Sequence, residues 1–223
     1  MFWRIRNKAW RSCAEKVFCI GCNKTGTTSL AAFFRENGYV VGDQEKAELL
    51  IEDWAKRDFT NIIAYCESAS FFQDVPFSLN DTFKAVDKAF PGSKFILTVR
   101  SSGDDWYDSL IRHHSRKFAS GGGLPTEEDL RKVKYRGKYP GYLMRTQQLI
   151  FDYPKVPLYD RDAYIRYYEH HNWGVMEYFS SRPEDLLVCD LKNEDAFPRL
   201  CAFLGLDPRL AKGIPHLNQS RKI

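Results

Sequence analysis

The segment running from Val17 to Gly38 restricts the fold of this chain most. Val17-Phe18-Cys19-Ile20 is an unbroken apolar run that stops at Gly21. Such a run, with no polar alternation, is what a strand buried on both faces requires. After Gly21 come Cys22-Asn23-Lys24-Thr25-Gly26-Thr27-Thr28-Ser29, and then Leu30, Phe33 and Phe34 recur at helical spacing until Gly38. A buried strand feeding an amphipathic helix through a glycine turn is the opening of a βαβ unit.

The pattern continues along the chain. Tyr39–Val41, Ile62–Tyr65, Phe95–Val99 and Leu186–Cys189 read as strands. Glu45–Phe59 reads as a helix, with Leu49, Leu50, Ala55 and Phe59 available to face inward. A second helix starts at Ser78 with Asp81 placed as in a capping box and Leu79, Phe83, Val86 and Phe90 on one face. Further helices cover Asp104–His113, a long stretch marked by Tyr164, Tyr168, His171, Val175 and Phe179 and closed by Arg182-Pro183, and Phe197–Leu204, ended by Gly205. Strands alternating with helices predict an α/β fold in one domain spanning residues 1–223, with a mostly parallel sheet flanked by helices. Ligands of such sheets gather at the carboxyl ends of the strands.

A length of 223 residues suits one such domain, and 43% hydrophobic residues suffice for a packed core. The net charge of +4 is too small for a nucleic-acid surface, but it suits a polyanionic ligand if the positive charge is focused in one cleft. Cys19 and Cys22 form a C-x-x-C with no second pair among the six cysteines, so neither a zinc site nor a disulfide framework is legible. They read as small hydrophobes at the end of a buried strand, in a reducing compartment. The basic, aromatic N-terminal segment (residues 1–16) lacks the apolar centre of a signal peptide. It is expected to be a short solvated helix packing Trp3 and Trp10 on the body, with a resting place on an anionic membrane surface as the alternative. No stretch reaches membrane-spanning length, so a cytoplasmic protein without membrane insertion is expected.

The chemistry sits in the first loop. A glycine-containing turn between strand and helix aims several backbone N–H groups at one anion, and the positive end of the helix dipole adds to them. Lys24 contributes a full charge, and Thr25, Thr27, Thr28 and Ser29 contribute hydroxyls. A mononucleotide-kinase loop places its lysine after the last glycine, whereas Lys24 precedes Gly26. No carboxylate ends an apolar strand in the way a magnesium site would need, so no metal is implied.

Lys24-Thr25-Gly26-Thr27-Thr28 resembles the 5′-phosphosulfate loop, P-K-[ST]-G-T-T, of sulfotransferases that use 3′-phosphoadenosine 5′-phosphosulfate (PAPS), with Asn23 in place of the proline. The resemblance implies a P-loop-like fold and transfer of a sulfuryl group to a hydroxyl or amine of a small-molecule acceptor, leaving adenosine 3′,5′-bisphosphate. It places Lys24, Thr25, Gly26, Thr27, Thr28 and Ser29 at the 5′ end of the nucleotide. Arg100, at the end of Phe95–Val99, and Ser109 fall where the family holds the 3′-phosphate, although their spacing is one residue longer than the family's. Arginine suits that task because its fork binds phosphate oxygens in pairs. Asp74, in Gln73-Asp74-Val75-Pro76, falls where many members carry a histidine base, and a turn role is its alternative. Glu67 is the rival carboxylate, followed by His113 and His114. Arg221 and Lys222 match a late basic pair that can add to 3′-phosphate binding, or belong to a frayed end.

The likeness is strong over residues 17–110, weaker over 160–223, and absent over about 115–157. That middle segment, with Gly121-Gly122-Gly123 and then Arg131, Lys132, Lys134, Arg136 and Lys138, is expected to form a lid on the acceptor side. Its basic run either lines the site or is a solvated face. Trp54 and Trp106 are candidates for stacking on adenine, with core packing the better assignment. Two alternatives remain. A kinase-like phosphotransferase would turn over ATP with magnesium, and a non-catalytic protein would bind adenosine bisphosphate without transfer.

Overall fold

A computed structural model describes residues 15–215 and Leu217. Expectations for Met1–Arg11, for Cys13 and for Asn218–Lys222, including Arg221 and Lys222, lie outside the described residues. In chain order the elements are β1 (Val17–Cys19), α1 (Thr27–Glu36), α2 (Gln44–Glu48), α3 (Ile51–Ala55), α4 (Thr60–Tyr65), β2 (Phe71–Phe72), α5 (Thr82–Ala89) and β3 (Lys94–Thr98). They continue as α6 (Gly103–Phe118), α7 (Glu127–Lys132), β4 (Lys134–Tyr135), β5 (Tyr139–Pro140), α8 (Tyr142–Phe151), α9 (Arg161–Tyr178), β6 (Leu186–Cys189) and α10 (Ala196–Leu204). The chain forms two compact units. One contains the described residues up to Val99 and from Asn172 onward, and the other is Arg100–His171.

The first unit is built on a four-stranded sheet of order β2-β1-β3-β6, parallel at every pairing. Register aligns Phe18 with Phe72 on one side and Phe95 on the other, so these three rings share one face. Phe18 stacks on Phe72 at 5.4 Å and on Phe95 at 5.5 Å, and Phe95 meets Phe179 at 4.7 Å. Phe83 of α5 also packs on Phe179, so this face is an aromatic layer. The opposite face carries Val17, Cys19, Phe71, Ile96, Leu187 and Cys189, packed under Leu30, Phe33 and Phe34 of α1 and Leu200 of α10. Each fully buried large side chain contributes about 1.5–3 kcal/mol, so helix placement on both faces follows from the side-chain alternation of the strands. The predicted parallel α/β architecture is present, and β1, α1, β3, β6 and α10 lie within two residues of their expected limits.

Other expectations need correction. Ile62–Tyr65 is helical, within α4, and the strand is Phe71–Phe72. A four-residue apolar run has no periodicity that distinguishes the two states, and here only Ile62 is buried. Tyr39–Val41 is reduced to one parallel bridge from Val41 to Phe71. The single helix expected over residues 45–59 breaks into α2 and α3, burying Ala47, Ile51 and Trp54 while Leu49 is exposed. The helix expected from Ser78 starts at Thr82 instead. Its N-cap, Asp81, is left-handed (φ 65°) and makes no side-chain cap. A hydroxyl four residues earlier mimics a cap signal, but Ser78 Oγ is buried without a hydrogen-bond partner among the described residues.

In the second unit, α6 is capped by Ser102, whose side chain accepts from the Asp105 N–H at 3.0 Å. A two-stranded antiparallel ribbon, β4-β5, carries part of the basic run. Arg131 Nε donates to Glu127 Oε1 at 2.8 Å, and Lys132 pairs with Glu128, in both cases one helical turn apart on α7. That pairing favours the solvated-face alternative for these two residues. Among the described residues, no helix is long and apolar enough to cross a membrane.

Candidate functional site

The carboxyl end of β1 leads through Gly21 into a turn closed twice over. The Thr25 N–H and the Thr25 hydroxyl both donate to Cys22 O, at 3.3 and 2.6 Å. The turn therefore spans Cys22 to Thr25, with Lys24 in its third position at φ 72°. Turns with positive φ at that position favour glycine or asparagine, and here a lysine takes it. Gly26 follows, also left-handed at φ 104°, as the N-cap of α1 with no side-chain cap. Its φ favours glycine, and a Cβ there would also press on Leu191 Cδ1 at 2.8 Å.

The first helical bond runs from the Leu30 N–H to Gly26 O at 3.1 Å, so the amides of Thr27, Thr28 and Ser29 precede the helical ladder. No aspartate or glutamate lies between Gly21 and Ser29. Two left-handed residues, an uncapped ten-residue helix and a half-buried lysine form a cradle that fits an anion such as a phosphosulfate.

The hydroxyls divide. Thr28 is exposed, whereas Thr25 is buried and spends its one proton on Cys22 O, leaving none for an anion. Ser29 Oγ accepts from the Leu217 N–H at 3.1 Å. Thr27 is 4% exposed. Of the expected hydroxyl donors, Thr28 faces outward and Thr25 is committed to the turn.

Asp74 lies two residues beyond β2, at the carboxyl edge of the strand adjacent to β1. Its φ is 60°, its Oδ1 accepts from the Val75 N–H at 3.2 Å, and its carbonyl accepts from the Ser78 N–H at 2.9 Å. The turn role is therefore real. The Asp74 charge also helps push up the thiols of Cys19 and Cys22, after burial as the larger cause, so it acts on the base of the Lys24 loop. Beside it, Gln73 Oε1 is buried with no hydrogen-bond partner among the described residues. Glu67 is at the other end of the sheet. It lies between Cys66 and Ala69, whose carbonyls receive Lys16 Nζ just ahead of β1. That position removes it as a rival to Asp74.

A family model described as a sulfotransferase domain matches residues 16–223. The chain belongs to the sulfotransferase domain family. No curated protein matches it significantly. As a sulfotransferase it is an enzyme of sulfuryl transfer, and the match runs through both compact units.

In the second unit of the sulfotransferase, Arg100 is half-buried and its backbone N–H donates to Tyr168 Oη at 2.8 Å. Tyr168 lies flat against Trp106, with centroids 4.7 Å apart and planes at 10°. Trp106 is therefore a packing residue, as is Trp54, whose Nε1 donates to Asn80 O at 2.8 Å. Ser109 lies on the buried side of α6. His114 Nδ1 is 3.1 Å from Tyr159 Oη, and both His113 and His114 pack on Phe118, so these histidines belong to the aromatic packing of this unit.

Sequence reasoning missed the neighbours of the candidate residues: Thr98 and Leu191 beside the Lys24 loop, and, within the second unit, Tyr168 at Arg100. A signal existed for Thr98, the one hydroxyl at the end of the otherwise apolar Phe95-Ile96-Leu97 run. None existed for the other two. Among the described residues, no group of three or more His, Cys, Asp or Glu could hold a metal ion.

Proposed function

We propose that this sulfotransferase transfers the sulfuryl group of PAPS to a hydroxyl or amine of a small-molecule acceptor by direct in-line displacement. The observation that carries the proposal is the Cys22–Thr25 turn, which holds Lys24 left-handed at the uncapped start of α1. Lys24 neutralises charge growing on the oxygen that bridges sulfur and the 5′-phosphate, while the amides of Thr27 and Thr28 and the Thr28 hydroxyl hold the 5′ end. Asp74 accepts the proton released as the acceptor atom bonds to sulfur and the bond to the bridging oxygen breaks. Arg100, with Ser109, holds the 3′-phosphate, and adenosine 3′,5′-bisphosphate leaves. The residue 115–157 segment serves as the lid on the acceptor side. Five buried free thiols, Cys19, Cys22, Cys66, Cys189 and Cys201, support a reducing, cytoplasmic setting.

The test is calorimetry of the full chain with adenosine 3′,5′-bisphosphate and with the 5′-monophosphate. The bisphosphate is expected to bind at least about tenfold more tightly, as one extra charge-assisted contact supplies. Equal affinity for the two nucleotides overturns the assignment of PAPS. Tight bisphosphate binding with no transfer from PAPS to any of a broad panel of phenols, alcohols and amines overturns the catalytic part.

A further inference from the structure

The turn that presents Lys24 is itself held by something the family motif does not contain. Thr25 Oγ1 lies 2.6 Å from Thr98 Oγ1 as well as 2.6 Å from Cys22 O. A carbonyl can only accept, so the single Thr25 proton goes to Cys22 O. Its oxygen must then accept from Thr98, which is thereby the donor. Thr98 Oγ1 is also 3.7 Å from Cys19 Sγ, and its own proton is already spent. The thiol therefore donates to it, as burial allows by pushing Cys19 up to about 12 and keeping it protonated. Proton counting thus fixes one direction for the whole chain, from the Cys19 thiol through Thr98 and Thr25 to the Cys22 carbonyl.

Steric contact supports the same point. A Cβ on Gly21 would meet Thr98 Oγ1 at 2.2 Å and Thr98 O at 2.3 Å, so the entry to the turn lies directly on this threonine. Thr98 is fully buried at the end of β3. A lysine at φ 72° persists only where its surroundings over-determine the backbone, and these contacts do so.

We infer that Thr98 is a positioning residue for Lys24: by donating to Thr25 it locks the Cys22–Thr25 turn and fixes where the Lys24 ammonium points. This inference rests on the function proposed above. It also makes the Thr25 hydroxyl a structural member of the loop rather than a contact to the nucleotide.

A double-mutant cycle read by PAPS binding tests it, using calorimetry of the full chain without acceptor. Thr98→Val, which keeps the shape and removes the donor, is expected to weaken PAPS binding about tenfold. Thr98→Ser, which keeps the hydroxyl, is expected to stay within about threefold of the unsubstituted chain. In a Lys24→Ala background, Thr98→Val is expected to cost less than about twofold further, because the residue it positions is gone. Should thermal melting show Thr98→Val unfolded, Thr98→Ala carries the same expectations.

Unaltered PAPS affinity in Thr98→Val, or losses that multiply independently of Lys24, overturns the inference while the proposed function stands. Failure of the unsubstituted chain to bind PAPS overturns both.

Discussion

The Lys24 loop and the Arg100 segment each follow the carboxyl end of a strand, but they are secured in different ways. The loop is closed by bonds that span three residues, from Thr25 back to Cys22, on glycines that admit no side chain. Arg100 is tethered through its backbone N–H by Tyr168, a residue 68 positions away on α9 whose ring rests on Trp106. An anion gripped by backbone amides needs a turn, and a turn is largely a local matter of residue type. The backbone of Arg100 is instead held by packing between α6 and α9, which are far apart in sequence. Loop and cation therefore fail differently when disturbed.

The largest effect is expected at the loop's charge. Lys24→Ala should lower sulfuryl transfer from PAPS by about a hundredfold or more, as loss of one preorganised contact to developing charge typically does. The melting temperature should change little, because the lysine is half-buried and the turn is closed by its neighbours. Steady-state turnover with calorimetric melting checks both, and near-normal turnover would remove Lys24 from the mechanism.

An intermediate effect is expected at Gly21. Gly21→Ala forces a Cβ to within 2.2 Å of Thr98 Oγ1, an overpacking of about 1–3 kcal/mol. A chain of this size should then melt roughly 3–10 °C lower, with PAPS binding weakened alongside. A lower melting temperature with normal PAPS binding would show that the loop tolerates a shifted β3 end, and would break the contrast from the loop's side.

The smallest effect should come from the distant tether. Tyr168→Phe keeps the stacked ring and removes the acceptor for the Arg100 N–H. Affinity for adenosine 3′,5′-bisphosphate should fall several-fold, a little over 1 kcal/mol, with the 5′-monophosphate unaffected. Equal losses for both nucleotides would mean that Tyr168 supports the fold in general rather than the aim of Arg100.

Much of the first unit was legible because its signals are local. The apolar run before Gly21, the helical spacing of Leu30, Phe33 and Phe34, and Gly205 at φ 64° after α10 each specify an element within a few residues. The errors fell where apolar residues lack periodicity or where hydroxyls mimic caps, at Ile62–Tyr65 and at Ser78. Within the candidate site, the identities of Lys24, Gly26 and Thr28 pointed to an anion. The inward turn of Thr25 and the capture of Ser29 Oγ by the Leu217 backbone were invisible, because their partners lie 73 and 188 residues away.

From residue order alone came the strand–loop–helix opening, the lysine ahead of its glycine, and the sulfotransferase family those residues specify. Only the tertiary structure chose which threonine faces outward, which carboxylate stands at the carboxyl edge of the sheet, and what braces the lysine. Local sequence sets backbone preference over a few residues. The destination of a hydroxyl proton or an arginine's amide is instead set by whatever the fold brings within about 3 Å of it.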